Sequence, residues 1–225
     1  MLDAECRQIV EACQRLATDG LVIGTAGNVS ARAGDMVAIT PTGGVLAELE
    51  PEHMSIIDME GNIVAGELEP TSEVLLHLAV YRTYGAGAVV HHHAPMATAL
   101  SCVLDELPCI HYQMLGLGGS VRVAPYATFG SQALADGVVK ALEGRNAALM
   151  SNHGATTHAA DMNAALERST LLEWACNVYW RASMLGTPRI MSAEQQEGVI
   201  ASAITRGYGR MRAAGPARGV PAEQT

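Results

Sequence analysis

Apolar residues recur at helical spacing in several parts of the chain. Between residues 3 and 18 they occupy positions 6, 9, 10, 13, 16 and 17, which place them on one face of a helix. Thr71 and Ser72, followed by Glu73 and the run VLLHLAVY, mark the start of a second helix, which Gly85 ends. We expect further helices after Pro95 and over 131–142, 161–185 and 193–212.

Short apolar runs between these helices are typical of buried strands. We expect strands over 36–39, 88–90 and 147–150, and a hairpin of 55–58 with 62–65. The glycine-rich segment 24–32 is expected to be a turn that leads into the first strand. Strands mixed with helices in one domain indicate a sheet covered by helices, but periodicity does not give the strand order.

Composition narrows the class of protein. The chain has 225 residues, 49% of them hydrophobic, and reads as one domain over 1–212 with a disordered tail, rich in Gly, Pro and Ala, over 213–225. Its net charge of −9 excludes the broad basic surface that nucleic-acid binding needs. No apolar run approaches the roughly 20 residues that span a bilayer, and the charged N-terminus lacks a signal-peptide core, so we expect a cytoplasmic protein. The five cysteines are scattered without a C-x-x-C, which argues against a disulfide framework.

Three consecutive histidines follow the apolar run 88–90. Residues i and i+2 of a strand point to the same face, so His91 and His93 can aim two imidazoles at one metal while His92 faces the other way. A chance polar strand end is an equally good interpretation of this spacing alone. His153 also follows a buried strand, and it completes a triad only if the two strands are neighbours, which spacing does not show.

Glu73 is a candidate fourth ligand or general base, although an acidic residue at a helix start is also an ordinary helix-dipole residue. His77 shares its helix face, and a structural role among leucines is the preferred interpretation there. The glycine-rich pieces GTAGN and TPTGG are each weak alone. Together with Thr71 and Ser72 they offer N–H and hydroxyl donors for a small anion.

Lys140 is the single lysine among 14 basic residues. It lies two positions from both Val138 and Leu142, an offset of about 200° on a helix, and so faces away from the apolar stripe. A mechanism that requires a lysine amine therefore has a single candidate residue, and the position of that residue on the helix is unfavourable.

Several ordered motifs occur together between about Gly20 and Tyr208, and this combination is far more specific than any one of them. The chain resembles the class II aldolase and epimerase family, and within it the L-fuculose-1-phosphate aldolase branch. The stretches that carry the resemblance are GTAGNVSAR, ITPTG, PTSE, AVVHHHA, IHY, APYATFG and SNHG. His92 between the paired histidines, and Thr71 where a serine is common, depart from that pattern.

The resemblance implies a single three-layer α/β/α domain with a mixed, largely antiparallel sheet. It implies a homotetramer with active sites between subunits, and one divalent metal per subunit, with zinc expected and manganese or cobalt as alternatives. It implies metal ligands Glu73, His91, His93 and His153, and a substrate phosphate site of Thr25, Gly27, Asn28, Thr42, Gly43, Thr71 and Ser72. Tyr112 and Phe129 would reach in from a neighbouring subunit, and Tyr208 would cover the site.

The reaction implied is reversible cleavage of a ketose 1-phosphate at C3–C4 into dihydroxyacetone phosphate and a short aldehyde. The metal would act as a Lewis acid, Glu73 would move a proton at C3, and Tyr112 would handle the proton of the C4 oxygen. Two alternatives stay open: an epimerase or a 3-oxo sugar-acid phosphate decarboxylase on the same scaffold, and a non-catalytic scaffold protein of the same fold. The sequence does not identify the aldehyde.

Overall fold

A computed structural model describes residues 1–206 of the chain. The described residues divide into two units, 1–191 and a second that begins at Ser192 and whose described part is one helix. The expected extension of that helix to 212, the tail 213–225 and Tyr208 lie outside the described residues. No helix within residues 1–206 is long and apolar enough to cross a membrane.

Six α-helices and nine β-strands make up the regular structure of residues 1–206. The helices are α1 (Asp3–Thr18), α2 (Val74–Tyr84), α3 (Pro95–Ser101), α4 (Gln132–Ala141), α5 (Met162–Leu185) and α6 (Ala193–Arg206). The strands are β1 (Asn28–Ala33), β2 (Met36–Ile39), β3 (Ser55–Asp58), β4 (Ile63–Ala65), β5 (Ala88–His92), β6 (Glu106–Leu107), β7 (Val121–Ala124), β8 (Ala147–Met150) and β9 (Gly154–Ala159).

The strands form one sheet in the order β4-β3-β2-β1-β5-β9-β8-β7-β6. All neighbouring pairs are antiparallel except β7 and β8, which are parallel. Strand β5 lies in the middle, between β1 and β9. The ends of these three central strands are where the candidate site residues meet.

Helices cover both faces of the sheet. One hydrophobic cluster joins α1, α3 and α5 to one face, and a second joins α2 and α4 to the other. Alternation along the strands supplies both clusters: Ala88 and Val90 belong to the first and Val89 to the second. The fold is therefore the expected three-layer α/β/α arrangement with a largely antiparallel sheet.

Local signals set the limits of the helices. Ser131 and Asp161 accept hydrogen bonds from the backbone N–H three residues on and so cap α4 and α5. Gly85 ends α2 with φ 61°, a left-handed conformation that a side chain would strain. These polar and glycine residues are the signals from which the helices could be predicted.

Four strands differ from the sequence prediction. The segment 24–32 is not wholly a turn, because β1 begins at Asn28. Strands β6, β7 and β9 are absent from the prediction. Strand β9, GATTHA, is buried at every position although it lacks the large apolar residues by which strands are recognised. Its threonines are tolerated there because Thr157 bonds to Ala165 O and Ser169 Oγ on α5.

Candidate active site

Three imidazoles meet at the end of the central strands. The ring centroids of His91 and His93 are 4.8 Å apart, those of His91 and His153 are 4.8 Å apart, and those of His93 and His153 are 5.0 Å apart. One nitrogen from each ring lies within 4.8 Å of the other two. This is the triad that the sequence suggested but whose assembly the spacing left open.

The pairing of β5 with β9 brings the three histidines together. His91 lies opposite Thr156, and His92 lies opposite Ala155, so the residues just before β9 reach His93. Asn152 has φ 55°, and His153 donates its N–H to Met150 O in the tight turn between β8 and β9. His153 is thus placed by a turn, whereas His91 and His93 are placed by strand alternation.

A backbone carbonyl fixes the orientation of the His91 ring. His91 Nδ1 is 2.9 Å from Ala155 O, an acceptor, so Nδ1 carries a hydrogen and Nε2 is the ring atom that can coordinate a metal. That Nε2 is 3.0 Å from His93 Nε2. An outer hydrogen bond of this kind is what orients metal-binding histidines in proteins.

Glu73 joins the histidines from the start of α2. Its Oε2 is 3.1 Å from His91 Nε2, and its Oε1 is 3.7 Å from His153 Nε2. We expected it on the first helical turn, but it is the residue that precedes that turn. Its side chain is buried, so a charge here is placed in a medium of low dielectric.

The charges of the carboxylate and the imidazoles are coupled. Burial alone would raise the pKa of Glu73, but the adjacent His91, the Asn28 hydrogen bond and His153 outweigh it and hold that pKa well below its usual range. Burial and the neighbouring imidazoles lower the pKa of His93 to about 4. Burial would lower the pKa of His91, but the Glu73 carboxylate and the Ala155 carbonyl outweigh it and raise that pKa. The site therefore favours a carboxylate paired with His91, beside His93 and His153, whose pKa values are lowered.

These residues fit a divalent metal. Glu73 Oε1 is buried and has no hydrogen-bond partner among the described residues, which is costly unless something else satisfies it. Three imidazole nitrogens and a carboxylate oxygen around one point are a donor set that zinc takes in proteins. The same donors leave room for substrate oxygens.

A cavity of about 290 Å³ adjoins Glu73 and two of the three histidines. Every residue expected to bind the substrate phosphate lines it, together with Glu73, His93 and His153. These seven residues are Thr25, Gly27, Asn28, Thr42, Gly43, Thr71 and Ser72. A larger cavity of about 460 Å³ between α1 and the start of α5 is remote from this cluster and contains no histidine among the described residues.

Close backbone approach explains the glycine at position 27. It has φ 92°, and a Cβ there would lie 2.9 Å from His91 O and 3.1 Å from Val22 Cγ1. The glycine-rich loop is therefore pressed against the metal-binding strand. No lysine or arginine lies among the described residues that line the cavity, so an anion would be held by N–H groups, hydroxyls and the metal.

Phe129 lines the cavity of its own chain, whereas we expected it to serve a neighbour's site. It precedes Gly130, where a Cβ would lie 2.7 Å from Ser72 O, so this turn packs closely on the start of α2. Its ring is 65% exposed and borders the cavity mouth. Tyr112 lies in the 3-10 segment Tyr112–Leu117, stacks on His111, and is not among the lining residues.

Other histidines have structural partners. His92 is fully buried and its Nδ1 accepts the N–H of Ala94, consistent with a ring on the other face of β5. His77 is also fully buried and bonds to Ser30 and Asn28, and no pattern in the sequence indicates these contacts. The i+4 spacing from Glu73 was the available signal for its location. Lys140 is exposed on α4, as expected.

Comparison with known proteins agrees with this geometry. Residues 7–180 match the model of the Class II Aldolase and Adducin N-terminal domain. A Rhodospirillum rubrum protein named 5-methylthioribulose-1-phosphate/5-deoxyribulose-1-phosphate aldolase is 37% identical over 201 residues, 88% of this chain and 90% of that relative. Escherichia coli (strain K12) L-fuculose phosphate aldolase is 37% identical over 196 residues, 86% and 91% of the two chains.

A solved structure of an L-fuculose 1-phosphate aldolase superposes with a TM-score of 0.86 at 33% identity, covering 88% of this chain and 95% of that one. Class II aldolases use a divalent metal, which agrees with the histidine cluster. The match covers most of the chain, and it includes the strands that carry the histidines. The chain therefore belongs to the class II aldolase family and is an aldehyde-lyase.

Proposed function

We propose that this aldolase reversibly cleaves a ketose 1-phosphate into dihydroxyacetone phosphate and a short aldehyde. One observation carries the proposal: the seven expected phosphate-binding residues, Glu73 and two of the three histidines line a single cavity. An anion site next to a metal site is what a phosphorylated ketose requires. The names of the relatives, which include aldolases of 5-deoxyribulose 1-phosphate and of L-fuculose phosphate, support the same substrate class.

The phosphate end of the substrate would lie on the glycine-rich loops. Thr25, Thr42, Thr71 and Ser72 contribute hydroxyl donors, and Gly27 and Gly43 allow the backbone to approach. The start of α2 adds the partial positive charge of a helix N-terminus. Neutral donors bind a phosphate without the competing ion pairs that a buried lysine would form.

His91, His93, His153 and Glu73 would hold the metal, and we propose zinc, with manganese and cobalt as alternatives. When bound, the metal supplies Lewis-acid stabilisation of negative charge on the substrate carbonyl oxygen. The protein residues orient that oxygen by fixing the positions of the imidazoles. His91 is fixed by its bond to Ala155 O.

Proton transfers are assigned to side chains of the protein. In the condensation direction the Glu73 carboxylate would remove the C3 proton of dihydroxyacetone phosphate, and Tyr112 of a neighbouring subunit would give a proton to the aldehyde oxygen, which becomes the C4 hydroxyl. Cleavage would run the same two transfers in reverse, with solvent carrying the proton between Tyr112 and Glu73. Tyr208 would cover the site. The homotetramer and a cytoplasmic location belong to the same proposal.

The decisive assay is a panel of ketose 1-phosphates incubated with the metal-loaded protein, with dihydroxyacetone phosphate measured by a coupled reductase. L-fuculose 1-phosphate, 5-deoxyribulose 1-phosphate and 5-methylthioribulose 1-phosphate form the panel. We expect release from at least one. His93→Ala, which removes one metal ligand, should abolish it and lose most bound metal, while His53→Ala, outside the cluster, should not.

Other products would overturn the proposal. An inverted sugar phosphate without aldehyde would identify an epimerase, and carbon dioxide from a 3-oxo sugar-acid phosphate would identify a decarboxylase. Absence of every product, with full metal occupancy, would point to a non-catalytic scaffold protein.

A further inference from the structure

A buried series of hydrogen-bonded side chains connects the centre of the sheet to Glu73. Glu73 Oε2 is 2.9 Å from Asn28 Nδ2, and Asn28 Oδ1 is 2.5 Å from His77 Nε2. His77 Nδ1 is 2.6 Å from Ser30 Oγ, which is 2.7 Å from the hydroxyl of Tyr81. Ser30, His77 and Tyr81 are fully buried, and Asn28 and Glu73 are 5% exposed.

The direction of every hydrogen bond in this series follows from which groups can donate and which can accept. The Glu73 carboxylate only accepts, so Asn28 presents its amide nitrogen to Glu73 and its oxygen to His77. The His77 Nε2 must then carry a hydrogen. Burial lowers the pKa of His77 to about 3, so the ring is neutral and its Nδ1 accepts from Ser30. Ser30 in turn accepts from Tyr81, whose oxygen bonds to the backbone of Val89 on β5.

This direction gives the Asn28 amide a single orientation. Turned over, the amide would set its oxygen against the carboxylate and its nitrogen against a ring N–H, leaving buried groups unpaired at a cost. Asn28 also lines the substrate cavity. An amide nitrogen has two hydrogens, so Asn28 can hold Glu73 with one and offer the other to the substrate.

The two oxygens of Glu73 are consequently different. Oε2 faces both Asn28 and His91 Nε2. Oε1 is buried and has no hydrogen-bond partner among the described residues. Oε1 lacks the hydrogen bond that holds Oε2 and lies 3.7 Å from His153 Nε2. It is therefore the oxygen that can serve the metal or, when substrate is bound, exchange a proton with carbon.

We propose that His77, supported by Ser30 and Tyr81, is a positioning residue that locks the Asn28 amide, so that Asn28 holds Oε2 of Glu73 and Oε1 is left as the atom that transfers the proton at C3. The proposal rests on the function proposed above and deepens it. His77, Ser30 and Tyr81 are not among the described residues that line the substrate cavity. Their proposed effect is therefore on the orientation of Glu73.

The first test measures the ring tautomer of His77 and needs no activity. A long-range ¹H–¹⁵N correlation spectrum of the histidine rings, assigned with His77→Gln, should show hydrogen on Nε2 of His77. The spectrum is recorded with and without added zinc. A hydrogen on Nδ1 of His77 in both spectra would reverse the direction of the hydrogen bonds in the series. That result would overturn the proposal, whatever reaction the protein catalyses.

The second test isolates proton transfer from bond cleavage. Exchange of the C3 hydrogen of dihydroxyacetone phosphate with deuterated water, followed by NMR, reports the step assigned to Glu73. His77→Leu should reduce exchange by about 10–100-fold, the usual loss when the outer partner of a site residue is removed. His77→Gln, which retains a donor towards Asn28, should recover part of that loss. KM should change less than kcat.

Tyr81→Phe and Tyr84→Phe form a matched pair on α2. Both remove a hydroxyl that makes a short hydrogen bond, 2.7 Å from Tyr81 to Ser30 Oγ and 2.5 Å from Tyr84 to Val139 O, which is not part of the series. The Tyr81 oxygen also bonds to the backbone of Val89. We expect a loss of exchange for Tyr81→Phe and none for Tyr84→Phe, at matched thermal stability and metal content. Equal effects in the pair, or wild-type exchange in His77→Leu, would overturn the positioning role.

The wild-type protein separates the two proposals. If the wild type exchanges the C3 hydrogen of dihydroxyacetone phosphate and the variants do so equally fast, the hydrogen-bonded series has no positioning role and the proposed function survives. If the wild type neither exchanges the hydrogen nor cleaves any ketose 1-phosphate, the proposed function fails and the positioning role fails with it.

Discussion

Glu73 combines three features that a base in a buried site needs. It lies beside the imidazoles, it is fixed through one oxygen, and it is fully charged because its partners outweigh the effect of burial on its pKa. The helix it precedes was recognisable in the sequence. Its contact with Asn28 could not be predicted, because the sequence indicates a turn over residues 24–32, where the structure begins β1 at Asn28.

Changing Glu73 to glutamine should separate metal binding from proton transfer. Three imidazoles remain to hold the metal, while the amide cannot accept a proton from carbon, so we expect a rate loss of about 10²–10⁴-fold with most metal retained. Elemental analysis and steady-state kinetics measure the two quantities. Glu67→Gln, an exposed acidic residue, is the control. A metal-loaded Glu73→Gln variant that turns over at wild-type speed would leave Glu73 a structural role.

Lys140 distinguishes metal chemistry from amine chemistry. It is the only lysine and is exposed on α4, so we expect Lys140→Arg to keep nearly full activity. Borohydride with substrate should not inactivate the enzyme, whereas a chelator should and added metal should restore activity. A substrate-sized mass shift on the Lys140 peptide would contradict the metal-dependent mechanism.

At the scale of elements, capped and amphipathic segments could be predicted and the small-residue strands could not. Helix α5 was visible from its cap at Asp161 and its length, and β8 from its apolar run. Strand β9 carries alanine and threonine, whose preference for a strand depends on what packs against them. Since β9 is what brings His153 to His91 and His93, the sequence predicted the ligands but not their meeting.

The close packing of Gly154, where the β8–β9 turn enters β9, leads to a separate prediction. A Cβ on Gly154 would lie 2.5 Å from His92 O and 2.8 Å from His93 Cδ2, and backbone in a central strand cannot move aside. We expect Gly154→Ala to destabilise the fold by about 1–3 kcal/mol and to weaken metal binding. Thermal denaturation and metal titration measure both effects.

Gly137→Ala on α4 is the matched control, because its added Cβ would have contacts of 3.8 Å and 3.9 Å and alanine favours a helix. We expect it to be neutral or stabilising. If Gly154→Ala binds metal as tightly as the wild type, the close approach of this turn to β5 is not what holds His93 in place.

At the scale of the whole molecule, exposed aromatic side chains are consistent with assembly. Tyr112 and Trp174 are each 40% exposed and Trp180 is 45% exposed. Because Tyr112 does not line its own chain's cavity, its proposed role requires a second subunit. We expect light scattering at assay concentration to show an oligomer, with a tetramer as the proposed state, and Tyr112→Phe to lower kcat without dissociating it. An active monomer would contradict this.

The ligands of the candidate metal are contributed by a helix start, a central strand and a distant turn, which become neighbours only when the nine-stranded sheet has formed. An unfolded chain presents no such arrangement, so the metal binds the native state and stabilises it by mass action. Each transient opening of the sheet then releases the ion, and reclosing competes with degradation. The supply of metal would in this way govern how long each molecule survives, in addition to how fast it works.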